Sequence, residues 1–572
     1  MKVLLVAINA KYIHSNLAVY SLKEYAEKYG NNEHEIKIKE YTINQYVEEI
    51  IADIYEEQPD ILGFSCYIWN ISHVMQVIDD LKSVRTDLDI FVGGPEVSYN
   101  AKQILENHLT IDYVMCGEGE ETFKQFLDYY HNGELQNKEI NGLVYRIEQE
   151  IVENPVMCPM DLSKIPFVYK NMKDFENKII YYETSRGCPF SCSYCLSSID
   201  KRIRFRDLKL VKEELQFFLD NKTAQVKFVD RTFNCNPYHA MEIWKYIKEN
   251  DNGITNFHFE IAADLMTEEE LELISDMRPG LIQLEIGVQS TNEETLQAIH
   301  RKTNIQEIEE ITQKIRKNKN IHQHLDLIVG LPYENYESFQ NSFNTVYAMK
   351  PDQLQLGFLK VLYGARISEE AKKYEIIYSK RPPYEVLQTK WITFDEVLKL
   401  KEVEAVVEIY YNSLQFSNTI KHMEKYFDSP FKMYEKLGKY YKQCSVGGTK
   451  HSRVNRYVLL LDFIMKELTP NKEQQSKWKE LLTLDFYLRE NAKSRPIFAR
   501  DLEEHKDDIR KIYRNPKLVR GLESYVNYST KQIEHMTHVE VFEDKYILFD
   551  YRNRDALTKS ATMIDVTRYL QV

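Results

Sequence analysis

Two successive series of short apolar runs, each followed by a stretch of helical period, restrict this chain to α/β architectures. In the first, VLLVAI (3–8), EIKIKEY (35–41), ILGFSCY (61–67), DIFVGG (89–94) and DYVMCG (112–117) alternate with amphipathic spans such as Leu17–Tyr29 and Tyr46–Glu57. Strands this apolar need both sheet faces covered, which predicts a doubly wound parallel sheet over residues 1–135. Ligands bind such sheets at the carboxyl ends of the strands, which singles out the loops NAKYIHSN, SCYIWN, GGPEVS and GEGE. The second series begins at KIIYYETSRG (178–187) and continues through QVKFVD, FHFEIAA, LIQLEIGVQ, HLDLIVGLP and LQLGFLKVL. Six strands with intervening helices predict a partial (β/α)6 barrel of the TIM type over 178–370. Residues 136–177, with three prolines and one short strand NGLVYR, read as a linker. From 371 to 572 the pattern is that of a mostly α-helical domain, with no strand series and no internal repeat.

The opening MKVLLVAINAKY has no cleavage pattern and reads as a first strand, and no apolar run approaches the roughly 20 residues that span a bilayer. A cytoplasmic protein with no membrane insertion is expected. The net charge of −14 is uneven, with an excess of Lys and Arg after residue 370. Two explanations stay open: the basic third packs against the acidic front, or it meets an anionic substrate. Its stretch KSRPIFAR…IRKIYRNPKLVR (493–520) suits a phosphate, a nucleic acid or plain solvent.

Eight cysteines in 572 residues make no disulfide framework, and three of them crowd into GCPFSCSYC. Cys188, Cys192 and Cys195 follow a predicted strand with the spacing C-x3-C-x2-C. Three thiolates on one loop can each bind one iron of a [4Fe–4S] cluster and leave the fourth iron open to a substrate. A closed structural site would want a fourth Cys or His at zinc-like spacing, and none follows nearby.

This motif, with Tyr194 as the aromatic residue before its last cysteine, resembles the radical-SAM signature, and the likeness extends over roughly 178–370. FVDRTFN (228–234), EIGVQS (285–290) and DLIVGLP (326–332) are similar to the family's second, fifth and sixth strand ends. The resemblance implies that S-adenosyl-L-methionine (SAM) chelates the open iron. It also implies SAM contacts at Tyr194, Asp230, Gln289, Ser290 and Gly330. The sequence departs from many relatives at Asp230-Arg231, where they carry two acids, and at Gln289, where they carry Glu.

The front 135 residues resemble the Rossmann-like cobalamin-binding domain that precedes many radical-SAM barrels. GFSCYIWN (63–70), GGPEVS (93–98) and CGEGEETF (116–123) carry the likeness. It implies cobalamin contacts at His14, Ser65, Tyr67, Gly93, Gly94, Pro95, Gly117 and Glu118. Gly93 and Gly94 are expected to be small because the cofactor's nucleotide tail lies against bare backbone there. Many cobalamin domains use Asp-x-His-x-x-Gly to ligate cobalt. Here Tyr12-Ile13-His14-Ser15-Asn16-Leu17 keeps the His without the Asp that orients it, so His14 is expected to contact the tail or steady its loop.

Cys66, Cys116, Cys158 and Cys444 are expected to be buried apolar residues, and Cys235 to lie near the active site without a role in it. With only Cys444 beyond the barrel, an auxiliary C-terminal cluster is excluded. Methylases that work through paired cysteines and methylthiotransferases with a second cluster fit poorly. The resemblance as a whole implies a cobalamin-dependent radical SAM methyltransferase, passing a methyl from methylcobalamin to a substrate carbon radical made by the 5′-deoxyadenosyl radical. An external donor such as flavodoxin or ferredoxin would supply electrons. The substrate class (small molecule, nucleic acid or peptide) stays open. So do two alternatives: non-methylating chemistry such as ring closure, contraction, oxidation or RNA modification, and a non-catalytic cobalamin or redox sensor. The C-terminal third resembles a domain of unknown function that accompanies some proteins of this kind.

Overall fold

The computed structural model describes residues 1–572 except 32–33, 132–138, 445–450, 493, 516–517, 519–524, 526, 544 and 571–572. Most of the linker stretch HNGELQNKE and parts of the basic stretch 493–520 therefore lie outside the described residues. The chain forms two compact units, one of residues 1–318, 330–335 and 358–393, the other of 319–329, 336–357 and 394–572.

The first unit opens with β1 (Lys2–Asn9), α1 (Leu17–Tyr29), β2 (Glu35–Thr42), α2 (Val47–Glu57), β3 (Ile61–Ser65), α3 (Ile71–Val84), β4 (Asp89–Gly93), α4 (Ala101–Asn107), β5 (Tyr113–Met115) and α5 (Gly119–His131). β1 to β5 are parallel, in the order β2-β1-β3-β4-β5. The period of two along β1 decides which helices cover which face. Leu4, Val6 and Ile8 pack with Ile50 and Ile54 of α2 and Val74 and Ile78 of α3. Val3, Leu5 and Ala7 pack with Val19 of α1 and Phe123 and Phe126 of α5. This is the doubly wound sheet that the sequence predicts.

The front sheet is larger than expected. β6 (Leu143–Ile147) and β7 (Glu150–Glu153) continue it beyond β5 as antiparallel strands. Part of the stretch that reads as linker is thus sheet: Leu143 and Tyr145 turn to one core, and Val144 turns to the other.

The second series follows in chain order: β8 (Ile180–Tyr182), the short antiparallel pair β9 (Ser185–Arg186) and β10 (Arg204–Phe205), α6 (Leu208–Asp220), β11 (Gln225–Phe228), α7 (Pro237–Glu249), β12 (Asn256–Ile261), α8 (Glu268–Ser275) and β13 (Ile282–Gln289). Within the first unit β8, β11, β12 and β13 pair in parallel in that order. The fifth and sixth repeats supply β14 (His322–Val329) and β15 (Gln353–Phe358), so all six predicted strands form.

In the second unit, helix Tyr336–Ala348 packs on helix Pro430–Cys444 through Phe343 and Phe431, with ring centroids 5.5 Å apart. Buried Asp485 accepts the N–H groups of Asn418 and Thr419 at 3.0 and 2.8 Å, satisfying the first turn of helix Ser417–Met423. The expectation of no strand series here is corrected by an antiparallel meander of Thr537–Phe542, Lys545–Arg554 and Ala561–Asp565. Val539 and Val541, on either side of Glu540, join Tyr546 and Leu548 in a core against Ile512 and Tyr513. The charged residues between them make the stretch read as helix surface.

Gly63 of β3 pairs with Phe91 of β4, and a Cβ at Gly63 would lie 2.0 Å from the Phe91 ring. That ring is held by Phe123 and Phe126 at 5.5 and 5.8 Å. Gly63→Ala should therefore lower stability by about 1–3 kcal/mol. Gly93→Ala, whose Cβ would find its nearest atom at 3.5 Å, should cost little when both variants are compared by urea titration.

Candidate active site

The three clustered cysteines leave the carboxyl end of β8 on a loop pinned at several points. Cys188 N–H donates to Asp200 O at 3.0 Å, Ser193 N–H to Ile299 O at 2.9 Å and Cys195 N–H to Cys192 O at 3.2 Å. Gly187 has φ +94°, and a Cβ there would stand 2.6 Å from the Arg202 carbonyl oxygen. Cys188 and Cys192 are buried, Cys195 is half-buried and all three are free thiols.

Two further groups touch these sulfurs, Thr232 from the FVDRTFN segment and Arg301, which no sequence motif marks. Thr232 Oγ1 lies 3.7 Å from Cys188 Sγ. Arg301 Nη1 approaches Cys192 Sγ at 3.7 Å and the Tyr194 hydroxyl at 3.3 Å, while Nη2 donates to the Gly287 carbonyl. Its Nε is buried without a hydrogen-bond partner among the described residues. A lone arginine in a helix-to-helix turn has no spacing signature, so only the fold reveals it.

Asp230, at the end of the β11 segment, is fully buried. Its carboxylate accepts Thr184 N–H at 3.0 Å and the hydroxyls of Thr184 and Ser185, each at 2.6 Å. It fastens the approach to the cysteine loop. The Thr184 proton is spent on Asp230, so His239 Nε2, 3.1 Å from Thr184 Oγ1, must be the donor in that contact. Burial pushes the Asp230 carboxyl up to about 6 despite the three donors.

Gln289 ends β13 with φ +73°, a strained conformation for a residue with a side chain. Its Oε1 is buried without a partner among the described residues, and its Nε2 would lie 2.3 Å from a Cβ on Gly287. Ser290 is buried and donates to Glu334 Oε1 at 2.7 Å. Gly330, with φ +88°, lies under the Val386 side chain. Asp230 and Ser290 thus hold other parts of the chain, whereas Gln289 keeps an unspent polar atom.

In the front sheet the chain-order reversal falls between β1 and β3, and Asn16 bridges the loops that follow them. Its amide donates to Ser65 Oγ at 3.1 Å, and its side chain caps α1. His14 is held from the second series, with Nδ1 2.7 Å from the Tyr181 hydroxyl, and burial lowers its pKa. A phenol thus takes the part of the missing Asp, and Nε2 makes no hydrogen bond among the described residues. Tyr67 stacks on the exposed Trp69 with centroids 4.4 Å apart.

The glycines divide. Gly94 has φ +110°, and a Cβ there would meet the Cys66 carbonyl oxygen at 2.5 Å. Its smallness thus has a reason inside the chain, independent of any cofactor tail. A Cβ on Gly117, φ +80°, would meet no atom within 4 Å, so this glycine opens outward. Pro95, on the loop after β4, is exposed. Glu118 is not free for a ligand: it pairs with Arg204 at 2.6 Å and accepts Met160 N–H at 2.9 Å. Arg186, just before Gly187, joins Glu183 at 2.9 Å and the buried Glu120 at the start of α5 at 2.6 Å. Of the remaining cysteines Cys66 is buried, Cys116, Cys235 and Cys444 are half-buried, and Cys158 is exposed. The expectation of burial fails at Cys158, which sits between Pro155 and Pro159 in a segment without regular secondary structure.

These features define an α/β protein with a cysteine-bearing loop at the end of one parallel strand series, beside the ligand loops of a second, doubly wound sheet. Domain models agree along the chain: a B12 binding domain matches residues 3–127, the radical SAM superfamily 182–346, and a protein family of unknown function (DUF4080) 372–564. The chain belongs to the cobalamin-binding-domain radical SAM proteins with a C-terminal domain of unknown function, and it is an enzyme of that class. Its cofactors are a [4Fe–4S] cluster, SAM and cobalamin. An uncharacterized methyltransferase, PH0819 of Pyrococcus horikoshii, is 25% identical over 392 residues, 64% of this chain and 80% of that protein. The cobalamin-dependent radical SAM methyltransferase TokK of Streptomyces tokunonensis is 25% identical over 370 residues, 59% of this chain but only 53% of TokK. The structure of the radical SAM methyltransferase TsrM from Kitasatospora setae, with cobalamin and a [4Fe–4S] cluster bound, shares the fold. Its TM-score is 0.56 at 16% identity, over 66% of this chain and 76% of that one.

The Asp230 carboxyl binds its proton more tightly folded than unfolded, so between about pH 4 and pH 6 the folded state holds more protons. Stability should therefore fall as pH rises through that window, by on the order of 2–3 kcal/mol from this group. Asp230→Asn should flatten the decline in unfolding midpoints measured from pH 4 to 7. An unchanged slope would mean that Asp230 titrates normally.

Proposed function

We propose that this enzyme is a methyltransferase that places a methyl group on a substrate carbon. The observation that carries the reading is the pairing of Arg186, two residues before Cys188, with Glu120 at the start of α5. The cysteine loop and the Gly117–Glu120 loop of the front sheet are thereby held in one unit. The relatives above bearing methyltransferase names support the same reading.

Cys188, Cys192 and Cys195 hold three irons, and the fourth is left for SAM. Arg301 supplies a positive charge against Cys192, and Gln289 presents its unspent amide oxygen to a donor on the ligand. Tyr194, Gly330 and Ser290 line the same strand ends. When bound, the cluster and SAM supply a carbon-centred radical and cobalamin supplies a methyl carrier. In the front sheet Ser65, Tyr67, Gly93, Gly94, Pro95 and Gly117 border the cobalamin site, and Glu118 steadies its edge through Arg204. His14, bound to Tyr181 rather than to a carboxylate, steadies its loop and does not ligate cobalt. No described helix is long and apolar enough to cross a membrane. We place the protein in the cytoplasm, with flavodoxin or ferredoxin as electron donor. The unpaired state of all eight cysteines accords with that compartment.

Anaerobically reconstituted protein should hold about four irons per chain and release 5′-deoxyadenosine from SAM under reduction. Cys188→Ala, Cys192→Ala or Cys195→Ala should each abolish both, read by iron analysis and chromatography. A substrate found by comparing metabolites and macromolecules of cells with and without the protein should gain 14 Da. Turnover without mass gain would replace methyl transfer by rearrangement or oxidation.

A further inference from the structure

Residues 358–393 follow the second strand series and touch the cysteine loop, Gly330 and the loop after β4. Ile367 N–H donates to Ser193 O at 2.8 Å, between Cys192 and Tyr194. Val386 is fully buried, and its Cγ1 lies 2.7 Å from where Gly330 would carry a Cβ. Gly364, with φ +84°, lets the Tyr99 ring approach to 2.4 Å from its own Cβ position. The Tyr384 hydroxyl donates to Glu96 Oε1, and both residues are only 8% exposed. The segment is fastened to itself as well, through Val361 N–H to Tyr384 O at 3.0 Å and Val386 N–H to Leu359 O at 2.8 Å.

Glu96 lies within the turn Gly93–Ser98, and Tyr99 follows it. That turn is closed by Val97 and Ser98 N–H groups donating to Gly94 O at 3.3 and 3.2 Å, and Glu96 N–H reaches Cys66 O at 3.4 Å. A buried carboxylate is costly without a donor, and the front sheet gives the Glu96 side chain none among the described residues. Its donor comes from Tyr384, 288 residues away in the chain. The match to the family of unknown function begins at 372, so its first residues belong to the unit that carries the cofactor loops.

We propose that 358–393 is a strap that fixes the cobalamin loop Gly93–Ser98 against the cysteine-bearing part of the unit, with Tyr384 as the positioning residue acting through Glu96. The proposal rests on the reading that this loop takes cobalamin. It assigns a role to the opening of the domain of unknown function: presenting a cofactor loop in its binding shape. Tyr384→Phe keeps the ring that packs on Tyr363 at 5.5 Å and removes only the donor.

The test measures cobalamin affinity by equilibrium dialysis and iron content on the same full-length, cluster-loaded preparations. Tyr384→Phe should weaken cobalamin binding about tenfold, the size expected for a lost buried bond to a charged acceptor, with iron unchanged. Adding Glu96→Gln to Tyr384→Phe removes the stranded charge and should restore affinity to within about threefold. Full affinity in Tyr384→Phe, or failure of Glu96→Gln to rescue it, would overturn the strap. So would equal loss of iron and cobalamin. If Tyr384→Phe yields no folded protein, Gly364→Ala drives a methyl into the Tyr99 ring on the same strap and should give the same selective loss. Wild-type protein that binds no cobalamin at all would instead overturn the cofactor assignment of the loop, and the strap with it.

Discussion

Arg186 sits between Ser185, which is tied to Asp230, and Gly187, which opens the cysteine loop. Its guanidinium is shared between Glu183, three residues earlier, and Glu120 from the first turn of α5, with Glu118 at 3.5 Å. Glu120 is 4% exposed, and burial alone would raise its carboxyl, yet Arg186 holds it below the usual range. Charges withdrawn from water are tolerated only in good geometry, and losing one partner strands the rest. The planar fork of arginine suits the two-sided contact as lysine would not. The position of the cysteine loop therefore depends on the front sheet being folded, and the N-terminus of α5 depends on the cysteine loop.

The same logic recurs around the site at smaller scale. Asp230 spends its carboxylate on Thr184 and Ser185, so the backbone ahead of the cysteines is held by a residue from the next strand. Ser290 spends its hydroxyl on Glu334. What stays unspent is informative: the Gln289 oxygen and the Arg301 Nε are buried with no partner among the described residues. Protein interiors rarely leave such atoms unmet, and the proposed function gives these two a ligand as partner.

The backbone layout is legible in the residues because periodicity is local. VLLVAI announces a two-faced strand, and GCPFSCSYC announces a three-thiolate loop whatever surrounds it. Where charged residues surround short apolar runs, as around YILF in KYILFDYR, the strand signal sinks and the meander at 537–565 goes unseen. NGLVYR reads as a strand, but nothing in it says that it pairs with β5. Cys158 shows the converse limit, since a cysteine's apolar character does not place it inside when its segment lies outside the packed elements.

The sequence by itself determined the two strand series, the loops that end them and the donor set of the cluster, because spacing along the chain fixes all three. Only the tertiary structure decided what those residues do for one another. It gave Gly94 a steric reason in the Cys66 carbonyl, gave His14 a phenol in place of a carboxylate, and committed Asp230 and Glu118 to the chain itself. It also brought in Arg301 and Tyr384, which no motif marks. Hydrogen bonds and ion pairs act over a few ångströms of space. Partners such as Glu96 and Tyr384, 288 residues apart, meet only after the chain has folded.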